Sequence, residues 1–157
     1  MAVPIIEVKN LYKIYKVGDT RVHALDGVDF TINKGEFCAI VGPSGSGKST
    51  LLNMLAGLEK PTKGEIIIDK IHIEHMTENQ LVEFSRKRVG FIFQSYNLLK
   101  TLNAVENVAL PLSFRGMAKK ERNAIAEKYL KLVGLEKQMY HMANAMSGGQ
   151  QQRVGIA

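Results

Sequence analysis

Residues Gly42-Pro43-Ser44-Gly45-Ser46-Gly47-Lys48-Ser49 carry glycine, lysine and serine in the order G-x-x-x-x-G-K-S, with Thr50 following. Glycine at 42, 45 and 47 opens backbone conformations closed to other residues. It lets main-chain N–H groups turn inward around an anion without side-chain obstruction. A helix beginning near Lys48 would add its positive end and its unpaired N–H groups. Lys48 then supplies an ammonium that can reach the β and γ phosphates of a nucleotide, and the Ser49 hydroxyl is placed to hold Mg2+. The chemistry on offer is capture of a nucleoside triphosphate, with ATP the first expectation. The alternative is a plain glycine turn beside a surface lysine.

A second glycine cluster, Met146-Ser147-Gly148-Gly149-Gln150-Gln151-Gln152-Arg153, contains S-x-x-Q. In such a box Ser147 caps a helix and Gln150 reaches back to it. The two glycines leave that helix end bare, which makes it a second place for an anion, directed at phosphate on another molecule. Taken alone it reads equally well as a simple glycine-rich cap. Elsewhere the chemistry is thin. His72 and His75 lie three apart in a short strand-to-loop segment with no evident third ligand, and with His23 and His141 they read as surface histidines. Ile66-Ile67-Ile68-Asp69 ends in an acid, but Lys70 follows where a catalytic glutamate would be needed.

These residues need elements to hold them. Ile5 to Val8, then Val28, Phe30 and Ile32 alternating with Asp29 and Thr31, read as half-buried strands. Phe37 to Val41 is a continuous apolar run suited to a strand covered on both faces, and it leads directly into Gly42. Leu51, Leu52, Met54 and Leu55 follow at helical spacing, with Gly57 at the expected end. Glu65 to Asp69 is another strand, Glu78 to Arg88 a helix, and Val89 to Phe93 a further buried strand ending at Gln94. Beyond residue 100 the pattern turns helical. Asn103-x-x-Glu106 caps a helix that Pro111 should close. A second helix with Ile125, Ala126, Tyr129, Leu130, Leu132 and Val133 on its apolar face, and Glu127 facing Lys131, should end at Gly134.

Composition sets the bounds. A chain of 157 residues, 45% apolar and 23% charged, is long enough for one domain with a real core and is neither disordered nor fibrous. The formal charge of +6 favours phosphate-bearing ligands, anionic membrane surfaces or nucleic acid without choosing among them. Its lysines are scattered rather than striped, which argues against a nucleic-acid interface. Cys38, the single cysteine, sits in the apolar run and is expected to be an inert core thiol. The amino-terminal residues carry no leader pattern and no apolar run is long enough to span a bilayer, so a membrane link is expected only through a partner.

The phosphate loop, Gln94 and Ser147-Gly148-Gly149-Gln150, in that order, resemble the nucleotide-binding domain of ABC transporters along the whole chain. Gly42 to Asn53, Val89 to Leu98 and Glu106-Asn107-Val108 are similar to the macrolide-export, lipoprotein-release and antimicrobial-peptide exporters. The resemblance implies an α/β fold: a P-loop NTPase core of ABC type with an antiparallel β subdomain and a helical subdomain. It divides the chain into 1–94 (β subdomain and partial core), 95–146 (helical subdomain) and 147–157 (the start of the next helix). It also implies a head-to-tail dimer, a homodimer by expectation, in which ATP on the loop of one subunit is covered by Ser147, Gly148, Gly149 and Gln150 of the other. Tyr15, with Tyr12 in reserve, would stack on adenine. Gln94 would contact Mg2+ or water and couple the site to membrane-spanning partner subunits. Such an ATPase would lie in the cytoplasm, peripheral on the cytoplasmic face of the membrane, without inserting and without nucleic acid.

Met146 stands where that family usually has leucine, an exchange that keeps volume and apolarity. The family places its Mg2+-supporting aspartate, catalytic glutamate and a later histidine after the Ser-Gly-Gly-Gln helix, and the sequence ends at Ala157 inside it. No catalytic residue is therefore expected within this chain, and part of the core sheet is expected to be missing. A missing general base commonly costs a factor of about 10² to 10⁴ in rate, so turnover by this polypeptide alone should be slight. The competing functions are a non-transport ABC module acting on ribosome or DNA, and a non-catalytic nucleotide-binding fragment.

Overall fold

The computed structural model describes residues 3–157; Met1 and Ala2, which open the stretch read as leader-free, lie outside the described residues. The chain divides into two units between Phe91 and Ile92.

The first unit is built on an antiparallel sheet. Strand β1 (Pro4–Val17) and strand β2 (Thr20–Asn33) form a long hairpin through Gly18-Asp19. Strand β3 (Lys63–Ile68) pairs with the other edge of β1 and with the short β4 (Ile71–His72), giving the order β2-β1-β3-β4. Helix α1 (Lys48–Leu55) lays Leu51, Met54 and Leu55 onto Val8, Leu11, Leu25 and Ile66, and helix α2 (Glu78–Arg88) closes this core with Leu81 and Phe84. The α2 bounds match the predicted ones because Thr77 and Gln80 form a reciprocal capping box and Arg86, Lys87 and Arg88 fill the last turn.

Two expected strands do not form. Phe37–Val41 and Val89–Phe93 carry no strand assignment, and Phe37 and Val41 are 99% and 87% exposed. An apolar run of this kind becomes a strand only where neighbours satisfy its backbone and layers cover both its faces. Neither run joins the antiparallel sheet, whose order is β2-β1-β3-β4, although Val89 is half-buried against the first core and its N–H bonds to the Ser85 carbonyl. Cys38 is exposed with its run rather than a core thiol.

The second unit is helical: α3 (Ala104–Ser113), α4 (Lys119–Leu132) and α5 (Gly148–Ile156), with single turns at Glu136–Gln138 and Ala143–Ala145. Asn103 and Glu106 make the expected capping box. The helix runs through Pro111 to Ser113 instead of closing there. The ring deletes one rung, to the Asn107 carbonyl, without stopping the turn. At the end of α4, Gly134 takes φ 71°, its N–H bonds to Lys131 O and the Leu135 N–H to Leu130 O, a Schellman stop with both leucines fully buried. The expected Glu127–Lys131 pair is not made. Lys131 lies 3.6 Å from Glu136, and Glu127 accepts from the Tyr140 hydroxyl.

Met146 is 6% exposed and packs in the cluster of Val105, Ala126, Leu130, Leu135 and Val154. Met146→Leu keeps that volume and is expected to change unfolding free energy by under about 1.5 kcal/mol. Met146→Ala, which opens a cavity, should cost about 2–5 kcal/mol. Chemical denaturation of both variants checks the contrast.

Candidate functional site

Gly47 occupies the position before the first turn of α1 with φ 83°, and no side chain caps that end. A Cβ here would collide with the Ala24 carbonyl oxygen and stand 2.9 Å from Leu25 Cδ2. Only glycine lets the loop press this closely on β2, and that approach aims the first turn of α1. No acidic residue lies in the turn, so the N–H groups at its start and the positive end of the helix face outward unopposed.

The Lys48 ammonium folds back over the loop. It donates to the carbonyl oxygens of Gly42 at 2.9 Å and Pro43 at 2.6 Å and to Ser46 Oγ at 3.2 Å. Three acceptors match its three donors, and all three sit on the loop itself. A cation is therefore held at the mouth of an amide cradle, where it can exchange loop oxygens for phosphate oxygens without moving far. Ser44 and Ser49 are exposed at the same place, with Thr50 half-buried in the first turn of α1.

Tyr15 is half-buried on β1, opposite Val22. Its hydroxyl donates to Glu59 Oε2 at 2.9 Å, while Lys13 Nζ lies 2.9 Å from Glu59 Oε1, donates to the Lys60 carbonyl at 2.7 Å and stands 5.1 Å from the Tyr15 ring centre. Burial pushes the Tyr15 phenol above its ordinary value; the hydrogen bond and charge of Glu59 add to the rise, against an opposing hydrogen bond to Thr50. The ring is thus fixed in orientation and brought to the phosphate-loop helix. Tyr12, the reserve, carries Lys63 over its ring at 5.5 Å, and its hydroxyl lies against Gly27.

The other candidates belong to the second unit. Gln94 sits in an exposed turn, not at a strand end, followed by Tyr96 and Asn97 at φ 59° and 49°. Ser147 and Gln150 make the reciprocal box at the start of α5: the Ser147 N–H donates to Gln150 Oε1 at 2.9 Å and the Gln150 N–H to Ser147 Oγ at 3.4 Å. Ser147, Gly148 and Gly149 are exposed, and no acid stands in that first turn either. The Tyr96 hydroxyl lies so close to Gly148 that a Cβ would be 3.1 Å from it, so this helix start is bare on one side and buttressed on the other.

Sequence reasoning missed one group. His72 and His75, read as lacking a third ligand, share Glu74. The signal was His-x-Glu: in an extended segment, residues two apart lie on one face. Asp69, set aside as a catalytic acid, lies in the β3–β4 turn with Lys70, both at positive φ, and binds Arg88 at 2.8 Å.

Residues 25–157 match the family described as ABC transporter. The chain is 47% identical over 153 residues to an uncharacterized ABC transporter ATP-binding protein of Thermotoga maritima, covering 98% of this chain and 65% of the relative. It is 46% identical over 157 residues to the macrolide export ATP-binding/permease protein MacB of Hyphomonas neptunium, covering 100% of this chain and 24% of that protein. Among solved structures, the ATP-binding cassette MJ0796 of Methanocaldococcus jannaschii, a dimer bound to ADP and Pi, superposes with a TM-score of 0.89 at 45% identity, covering 96% of this chain and 67% of that one. The chain thus spans just under two thirds of the Thermotoga relative's length.

Proposed function

This chain belongs to the ABC transporter family, and from that premise we propose that it is the ATP-binding part of a transporter ATPase, gripping Mg-ATP on Gly42 to Thr50. The observation that carries this reading is the uncapped, acid-free start of α1 with the Lys48 ammonium held over the loop by Gly42, Pro43 and Ser46. An amide cradle backed by one cation suits a polyphosphate and little else.

Mg2+ enters with the nucleotide. The exposed Ser49 hydroxyl is a suitable oxygen ligand beside the loop, and Gln94 is assigned, on the family likeness alone, a contact to Mg2+ or to water. Tyr15 stacks on adenine, its ring oriented by Glu59 and set next to α1. Ser147, Gly148, Gly149 and Gln150 bind the γ-phosphate held by a second copy, for which the bare start of α5 is suited and the MJ0796 dimer is a precedent. Binding energy then closes the dimer and hydrolysis in the whole protein reopens it, moving membrane-spanning partners. Residues 1–94 act as β subdomain and partial core, 95–146 as the helical subdomain, and 147–157 open the helix that meets the second copy. No helix among the described residues is long and apolar enough to cross a membrane; a place on the cytoplasmic face of the membrane is part of the same proposal. The likeness to MacB supports export as the direction.

Calorimetric titration with Mg-ATP tests the reading. The chain is expected to bind one nucleotide; Tyr15→Ala should lose about 5- to 150-fold in affinity, since base-on-aromatic stacking contributes roughly 1–3 kcal/mol. Tyr15→Phe, which lacks only the hydroxyl bonded to Glu59, should stay close to the parent. No binding by the parent chain would remove the assignment. An unchanged Tyr15→Ala would remove the stacking role alone.

A further inference from the structure

The β3–β4 hairpin brings together three side chains that the nucleotide site does not use. Pairing continues one residue past β4, with the Ile73 N–H on Ile66 O, so Glu74 hangs back across β3 and accepts the Ile66 N–H at 3.1 Å on Oε2. That anchoring leaves Oε1 facing two imidazoles, with His72 Nδ1 at 2.7 Å and His75 Nε2 at 3.4 Å. The two rings lie face to face, 5.8 Å between centres and 17° from parallel. The Glu74 side chain is 6% exposed, while those of His72 and His75 are 47% and 80% exposed. Burial opposes ionisation of Glu74, but hydrogen bonds from His72, its own N–H and Ile66 N–H outweigh it and hold the carboxyl below its usual value.

We infer that His72, Glu74 and His75 form a binding site for a borderline-soft divalent transition-metal ion, Zn2+ first among them. One ligand atom from each residue lies within 4.8 Å of the other two, and this is the group of three that the described residues offer. Zinc bonds to nitrogen and carboxylate oxygen run about 2.0–2.2 Å, which places tetrahedral ligands roughly 3.3–3.5 Å apart. The Glu74–His75 separation of 3.4 Å already meets that spacing. The 2.7 Å between Glu74 and His72 is a hydrogen bond and must open by roughly 0.6–0.8 Å as the metal takes the place of its proton. The single ring proton of the neutral His72 imidazole then resides on Nε2, reached by exchange through solvent, so Nδ1 is free for the metal and no net proton is released.

Two imidazoles and one carboxylate suit zinc, nickel or copper, whereas Mg2+ prefers oxygen ligands and retains its waters, so this site and the nucleotide's Mg2+ do not compete. Glu74 needs no new support, because Ile66 N–H already fixes its other oxygen as an outer-shell partner does in established metal sites. Three protein ligands leave a coordination position open to water or to a ligand from another molecule. The site stands independently of the ATP reading.

The test is titration of the 157-residue chain with ZnCl2, without nucleotide, followed by calorimetry against a competing chelator. One Zn2+ per chain is expected, with Mg2+ giving no heat. His72→Asn/His75→Asn should bind at least about 100-fold more weakly, since loss of outer-shell partners alone commonly costs 10–100-fold. Both histidines are exposed, and circular dichroism of the double variant should match the parent. Cys38→Ser should bind as the parent does. Undiminished Zn2+ affinity in the double histidine variant, or its loss in Cys38→Ser, would overturn the assignment, as would absence of a stoichiometric site in the parent.

Discussion

Lys48→Ala is expected to weaken Mg-ATP binding by about a hundredfold or more while leaving the fold nearly as stable. The ammonium makes three hydrogen bonds, all to loop oxygens. Bound nucleotide would take over at least two of these donors, and each charge-assisted bond is worth about 1.5–3 kcal/mol. Two such bonds correspond to at least two decades in affinity. The loop residues the ammonium leaves behind, Gly42, Pro43 and Ser46, are all exposed, so water satisfies the freed oxygens and the unfolding free energy should change by under about 1 kcal/mol. Calorimetry read beside thermal unfolding separates the two effects. Equal affinity in parent and variant would place the nucleotide somewhere other than this loop.

Gly47→Ala should damage both binding and stability. Its φ of 83° costs an L residue about 1–2 kcal/mol, and the added methyl meets the Ala24 carbonyl and Leu25, whose side chain is buried in the first core. Forcing that contact apart adds about 1–3 kcal/mol, for a total of roughly 2–5 kcal/mol in chemical denaturation. The first turn of α1 is displaced with it, so Mg-ATP affinity falls as well. Gly45→Ala is the matched control: φ is 79° but nothing lies within 4 Å of a Cβ, leaving only the conformational strain. If the two variants lose the same stability, the close approach to β2 is not what demands glycine at 47.

What could be read without coordinates was governed by local chemistry. The capping boxes at Asn103 and Ser147 and the stop at Gly134 depend on residues within a few positions of each other, and they stand where the sequence puts them. The same holds for the glycine-lysine loop ahead of α1. Apolar runs behaved differently. Phe37–Val41 has the composition of a strand, but whether it becomes one is decided by chain segments far away in sequence. Cys38 was misplaced for the same reason. Spacing ahead of Lys16-Val17-Gly18 favours Tyr15 over Tyr12, but the bond to Glu59, distant in sequence, that orients the Tyr15 ring was not legible. Glu74 was passed over because it needed the strand's two-residue alternation and the anchor on Ile66, neither of which a search for histidine pairs consults.

The bareness of Phe37–Val41 reaches beyond the single molecule. An uncharged, proline-free stretch rich in aromatic and β-branched side chains, displayed with its backbone available, is a template onto which another chain can add a strand. In concentrated solution the 157-residue polypeptide is thus expected to associate through this segment ahead of the phosphate loop, which light scattering would register.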